Sequence, residues 1–112
     1  MDAGRAGELL DAEEARVTAL LADVDRMGEG ERGISQERGD PADLSAPLTA
    51  EEEDDAVAAS LRERLAALRR ARQRLEDGTF GRSVRSGGPI DDERLEADPA
   101  AELTAEEARA GA

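Results

Sequence analysis

The sequence predicts an all-α fold: a long antiparallel coiled-coil helical hairpin, then a small C-terminal module that ends in a short helix. Three observations carry this prediction. Apolar residues recur at helical spacing in two long stretches, Leu10, Val17 and Val24 in the first and Ala58, Leu61, Leu65, Leu68 and Leu75 in the second. A segment rich in Gly, Pro and charge, residues 29–48, separates them. One Phe, no Tyr and no Trp leave little bulk to fill a globular core, so two helices that bury one narrow seam account best for the apolar content.

The first helix is expected over about residues 4–28. Leu10, Val17 and Val24 repeat every seven residues, and Leu20 and Met27 lie three positions beyond Val17 and Val24. This alternation of three and four is an a/d seam. Glu13 occupies one d position, and Gly28 and Gly30 end the pattern. The loop that follows holds Gly30, Gly33, Gly39, Pro41 and Pro47. An insert of this length between packed helices is uncommon and is often functional.

The second helix is expected over about residues 50–77. Thr49-Ala50-Glu51-Glu52 has the form of a capping box, and residues 51–55 place five carboxylates where the helix dipole favours them. Arg72 falls on the seam beside the leucines, and Gly78 stops the helix. At roughly 1.5 Å per residue the two helices measure about 37 and about 42 Å. Such a match suits an antiparallel pair, with residues 1–77 forming one domain and 78–112 a second. The pairing brings Arg69, Arg70, Arg72 and Arg74 alongside Glu8, Asp11, Glu13 and Glu14. The basic cluster therefore has two readings, intramolecular ion pairing or a binding patch. Beyond Pro99, Thr104-Ala105-Glu106-Glu107 is a second capping-box pattern, which would start a helix of barely two turns ended by Gly111.

Composition limits the chemistry. There is no Cys and no His, which excludes disulfides, thiol and imidazole catalysis and any ordinary Cys/His zinc site. With no Tyr either and no pocket-forming core, an enzyme is not expected. The net charge is −13, and it is uneven. Residues 1–60 carry 17 acids and 5 bases, residues 61–85 carry 3 acids and 8 bases, and residues 86–112 carry 8 acids and 2 bases. An acidic chain is repelled by phosphate backbones, so direct nucleic-acid binding is disfavoured. A protein partner with a basic cleft is expected instead. No apolar run approaches the roughly 20 residues a membrane span needs, and the cytoplasm is the expected compartment.

The stretch from Gly78 to Pro99 contains the most specific pattern. Gly78, Phe80 and Gly81 are followed by Gly87, Pro89 and Ile90, then by Arg94, Leu95, Ala97 and Pro99. In this order and spacing, residues 75–107 resemble the C-terminal part of the DksA/TraR family of bacterial RNA polymerase-binding regulators. In that family a Cys-x-x-Cys-Gly follows the first glycines and a second Cys-x-x-Cys closes the module. Here the four ligand positions hold Ser83, Ser86, Thr104 and Glu107, with 17 residues between the halves. The resemblance thus implies a zinc-finger-like knuckle in a cysteine-less member. Zinc in a closed structural site wants thiolate or imidazole, so no zinc is expected. Phe80, Val84, Ile90, Leu95 and Leu103 are the expected apolar anchors in its place.

The family also carries an Asp-x-x-Asp-x-Ala pattern at the tip of its hairpin. The loop here reads Asp40-Pro41-Ala42-Asp43-Leu44-Ser45, with the two aspartates in register and Ser45 in place of the alanine. An ordinary polar turn would also place Asp40 before Pro41. What the resemblance implies is a regulator that inserts its hairpin into the secondary channel of RNA polymerase. The tip residues Asp40, Asp43 and Ser45 would then approach the active centre and modulate initiation, in some members together with the alarmone ppGpp. Arg69, Arg70, Arg72 and Arg74 are the candidate rim or alarmone contacts. The alternative is a non-catalytic adaptor that keeps this scaffold and binds another protein.

Overall fold

The computed structural model describes the backbone of residues 1–38 and 45–111 and the side chains of residues 1–27 and 55–111. The architecture is all-α. Four helices run in the order α1 (Ala3–Arg38), α2 (Ser45–Asp77), α3 (Asp92–Ala97) and α4 (Ala105–Ala110). Among the described residues extended pairing is confined to one isolated bridge, Arg82 with Pro89. By its contacts the chain divides into two compact units. One joins Met1–Ala15 to Leu65–Ala112, and the other is Arg16–Arg64.

Both long helices exceed their expected bounds. α1 continues ten residues past Gly28, through Gly30 and Gly33, and ends at Arg38. Glycine inside a helix costs only about 1 kcal/mol relative to alanine, which a continuing helix can absorb. α2 begins at Ser45 with Pro47 in its first turn. Proline is tolerated there because first-turn amides have no partner within the helix. Thr49 therefore lies inside α2, and the Thr49–Glu52 pattern does not mark its start. The expected 29–48 loop is correspondingly shorter.

In the Arg16–Arg64 unit, Val17 and Ala58 are buried, Leu21, Val24 and Leu61 are half-buried, and Arg62 pairs with Asp25 at 3.4 Å. The expected d-position residues Leu20 and Met27 are exposed, as is Val57. The reason is rotational. At 3.6 residues per turn Leu21 lies about 40° around the helix from Val17, whereas Leu20 lies about 60° away on the other side. A heptad pattern read onto a straight helix drifts by roughly 20° per repeat, so the buried stripe passes through Leu21 and Val24 and leaves Met27 outside.

In the other unit, Ala6 and Leu10 of α1 and Leu68 and Ala71 of α2 are buried. Arg72, half-buried between the helices, reaches Asp11 at 2.6 Å and Glu14 at 3.3 Å. Arg5 grips Glu96 of α3 with a two-pronged contact, Nε to Oε1 at 2.8 Å and Nη2 to Oε2 at 2.6 Å. α2 ends where glycine permits it. Gly78 takes φ 80°, and the amides of Gly78 and Thr79 donate to the carbonyls of Leu75 and Arg74, closing the last turn as a Schellman motif.

The pattern of burial predicts a contrast between two leucines, one in each unit. Leu68→Ala should cost about 2–5 kcal/mol of stability, and Leu20→Ala should stay within about 0.5 kcal/mol, the usual range for a surface change. Urea unfolding followed by circular dichroism checks both, and equal costs would restore the heptad register for Leu20.

Candidate functional site

The C-terminal module is built on two hydrogen-bonded segments held over a small apolar cluster. Ile90, Leu95 and Ala101 are buried together and Phe80 packs against them. Of the other expected anchors, Leu103 is half-buried, and Val84 is not an anchor, being 56% exposed. The Val84 amide donates to the carbonyl of Glu102 at 2.8 Å, which fixes the backbone while the side chain stays outside the cluster. The motif residues have visible tasks. The Arg94 guanidinium donates to the carbonyl of Leu103 at 3.0 Å, Asp98 accepts from the amide of Ala100 at 3.0 Å, and Leu95 supplies the largest buried side chain of the cluster.

The first segment is a tight turn over residues 83–88. The Ser83 amide donates to the Gly88 carbonyl at 2.8 Å and the Ser83 carbonyl accepts from the Gly87 amide at 2.9 Å. Gly87 sits at φ 76°, a conformation that side chains rarely adopt. Ser83 is buried, and its Oγ accepts from the amides of Arg85 and Ser86 at 3.1 and 3.2 Å.

The second segment is the start of α4. Thr104 is its N-cap, and the capping box read in the sequence is complete. The Glu107 amide donates to Thr104 Oγ1 at 3.1 Å, and the Thr104 amide donates to Glu107 Oε1 at 3.0 Å. The two segments meet at Glu107. The hydroxyls of Ser83 and Ser86 lie close enough to favour its ionised form. The fold thus brings Ser83, Ser86, Thr104 and Glu107, two pairs separated by 17 residues in sequence, into one polar cluster. The Ser83 hydroxyl is the largest cause, followed by the Thr104 amide, that holds the Glu107 carboxyl down at about 2.

This donor set does not suit zinc. Three of the four groups are hydroxyls, the fourth is a single carboxylate, and the carboxylate is already taken up by the others. A structural zinc site is built from thiolate and imidazole.

The arginines divide between two partners. Arg72 meets Asp11 and Glu14 of α1, as the sequence anticipates. Arg70 and Arg74 instead share Glu102 beside the knuckle, at 2.9 and 3.6 Å, a pairing that sequence spacing could not signal. Arg69 is exposed, with no ion-pair partner among the described residues. Glu8 turns to Arg5 in its own helix at 3.4 Å. Arg5 in turn holds the Glu96 carboxyl below its ordinary range by hydrogen bonding. Asp40 and Asp43 lie outside the described residues, and Ser45 is the first residue of α2.

No protein-family model matches the sequence, and no curated relative matches it. Among solved structures the fold is similar to that of the transcription factor DksA2 from Pseudomonas aeruginosa. The two superpose with a TM-score of 0.62 at 23% identity, over 99% of this chain and 89% of that one. No helix among the described residues is long and apolar enough to cross a membrane.

The depressed Glu107 carboxyl fixes the sign of an acid effect. Its pKa falls on folding from 4.5 to about 2, so its contribution to stability is complete above the unfolded value and is lost as the pH drops through the folded one. Glu107→Gln keeps a side chain able to cap α4 but removes the charge. The stability gap between the wild type and Glu107→Gln should therefore shrink between pH 4.5 and about pH 2. Denaturant midpoints across that window test this, and a gap independent of pH would dissociate Glu107 from the cluster.

Proposed function

We propose that this chain is a transcription regulator that binds bacterial RNA polymerase and inserts the tip of an antiparallel coiled-coil hairpin into the secondary channel. The observation that carries this reading is the fold likeness to a transcription factor across 99% of the chain, joined to the retained Gly78–Pro99 pattern. In this reading α1 and α2 supply reach and the C-terminal module braces at the channel entrance. Asp40 and Asp43 act on basic polymerase groups or on the environment of the catalytic magnesium, and Ser45 stands where the family carries alanine. The acidic character of residues 1–60 favours entry into a basic channel through charge complementarity. Arg69 is the rim or alarmone candidate among the four arginines that makes no ion pair with a described residue, and ppGpp is a proposed co-regulator. The protein acts as a binding module, not as an enzyme.

The tip and the body have separable tasks. The double variant Asp40→Asn, Asp43→Asn should keep its affinity for core RNA polymerase to within about threefold and lose its effect on transcription initiation. Pull-down with core enzyme, competition against another secondary-channel factor, and in vitro transcription read these out. Unchanged transcription by the double variant would remove the tip from the mechanism, and absence of binding by the wild type would favour the adaptor alternative.

We further propose that the knuckle is zinc-free, its four ligand positions joined by hydrogen bonds in place of metal coordination. Melting should then be unaffected by chelators, and metal analysis of the purified protein should give far less than one zinc per chain. Stoichiometric zinc would overturn this.

A further inference from the structure

The turn at residues 83–88 carries a surface that neither the hydrogen-bonded cluster nor the tip explains. Val84 is 56% exposed at its crest. Arg82 and Arg85 flank it, both exposed and without an ion-pair partner among the described residues. From Gly78 to Ile90 the sequence holds these two arginines and no acid, within a chain of net charge −13. Two carboxylates of this module are engaged. Glu107 accepts from the Thr104 amide at 3.0 Å, and Glu102, bonded through its carbonyl to the Val84 amide, pairs with Arg70 and Arg74.

A lone exposed valine is ordinary on a protein surface. This one differs in how firmly it is presented. The backbone beneath it is fixed by the bonds of Ser83 to Gly87 and Gly88 and of Val84 to Glu102. Ser83 Oγ ties down the next two amides. A partner that seats Val84 therefore does not have to order a loop, which is a large part of the cost of association.

We infer that the Arg82–Val84–Arg85 corner is a docking surface for an acidic protein face with a shallow apolar pocket, a contact separate from the hairpin tip. Two considerations select a protein over a nucleic acid. The chain's overall negative charge opposes a phosphate backbone, and Val84 gains nothing from phosphate but gains by burial in an apolar pocket. The inference rests on the polymerase reading, which makes an acidic patch on core RNA polymerase the occupant.

The test uses the full chain and core RNA polymerase, with dissociation constants measured at low and moderate salt. The variants are Val84→Asp with Arg85→Glu, and Val84→Thr alone, which keeps the shape of an exposed side chain and leaves the turn's hydrogen bonds in place. The charge-reversed pair should weaken binding about tenfold and flatten its salt dependence, and Val84→Thr should weaken it measurably in the same direction. Thermal melting reports folding, and the Val84→Thr result decides the matter if the double variant melts early. Binding of both variants within threefold of wild type, with the wild type bound, overturns the corner and leaves the polymerase reading standing. Failure of the wild type to bind overturns both.

Discussion

The Glu107 carboxylate is the joint on which the C-terminal module depends. It accepts the amide of Thr104 at 3.0 Å and lies close enough to the hydroxyls of Ser83 and Ser86 for them to favour its charge, and it does so from the first turn of α4. The Val84 amide on the Glu102 carbonyl at 2.8 Å is a second tie between the turn and the chain leading into α4. Hydrogen bonds to a carboxylate that water can reach are individually weak. A structural zinc in a small peptide contributes an apparent 10–16 kcal/mol. A cluster of this kind therefore cannot by itself do what a metal does, and the module must draw on other contacts.

Those contacts are visible on the two sides of the joint. Below it, Ile90, Leu95 and Ala101 form the apolar cluster with Phe80. Beside it, Glu102 ties the loop before α4 to Arg70 and Arg74 of α2. α3 is tied to α1 by the fork of Arg5 on Glu96. Each exposed ion pair contributes little, around 0–1 kcal/mol, but all of them converge on one small module. The module shares its compact unit with Met1–Ala15 and the end of α2, so its folding is coupled to the packing of Leu10 and Leu68 nearby in that unit.

How legible this was depended on the range of the interactions. Local signals were read well. The stop at Gly78 and the Thr104–Glu107 capping box need only a few consecutive residues, and both stand as read. The seam was read less well. A heptad pattern names which helical face is apolar but not its rotation, and the choice between Leu20 and Leu21 turns on a difference of about 20°. Thr49 failed for a different reason: a capping-box sequence is compatible with a helix interior when the helix starts upstream, here at Ser45 with Pro47 in the first turn where proline is tolerated. Val84 looked like core because it is apolar and sits among motif residues, yet hydropathy says nothing of which way a turn presents its crest.

The sequence by itself determined the two long helices, the glycine positions that end α2 and permit the knuckle turn, and the absence of any Cys or His ligand for zinc. These follow from local conformational preference and from side-chain chemistry, which do not depend on distant neighbours. Only the tertiary structure decided that Ser83, Ser86, Thr104 and Glu107 close on one another, that Arg70 and Arg74 choose Glu102, and that Arg5 reaches Glu96. Arg5 and Glu96 stand 91 positions apart and Arg70 and Glu102 stand 32 apart, and the turn at residues 83–88 sets where its serine side chains arrive. Spacing along the chain carries no measure of such distances until the backbone has folded.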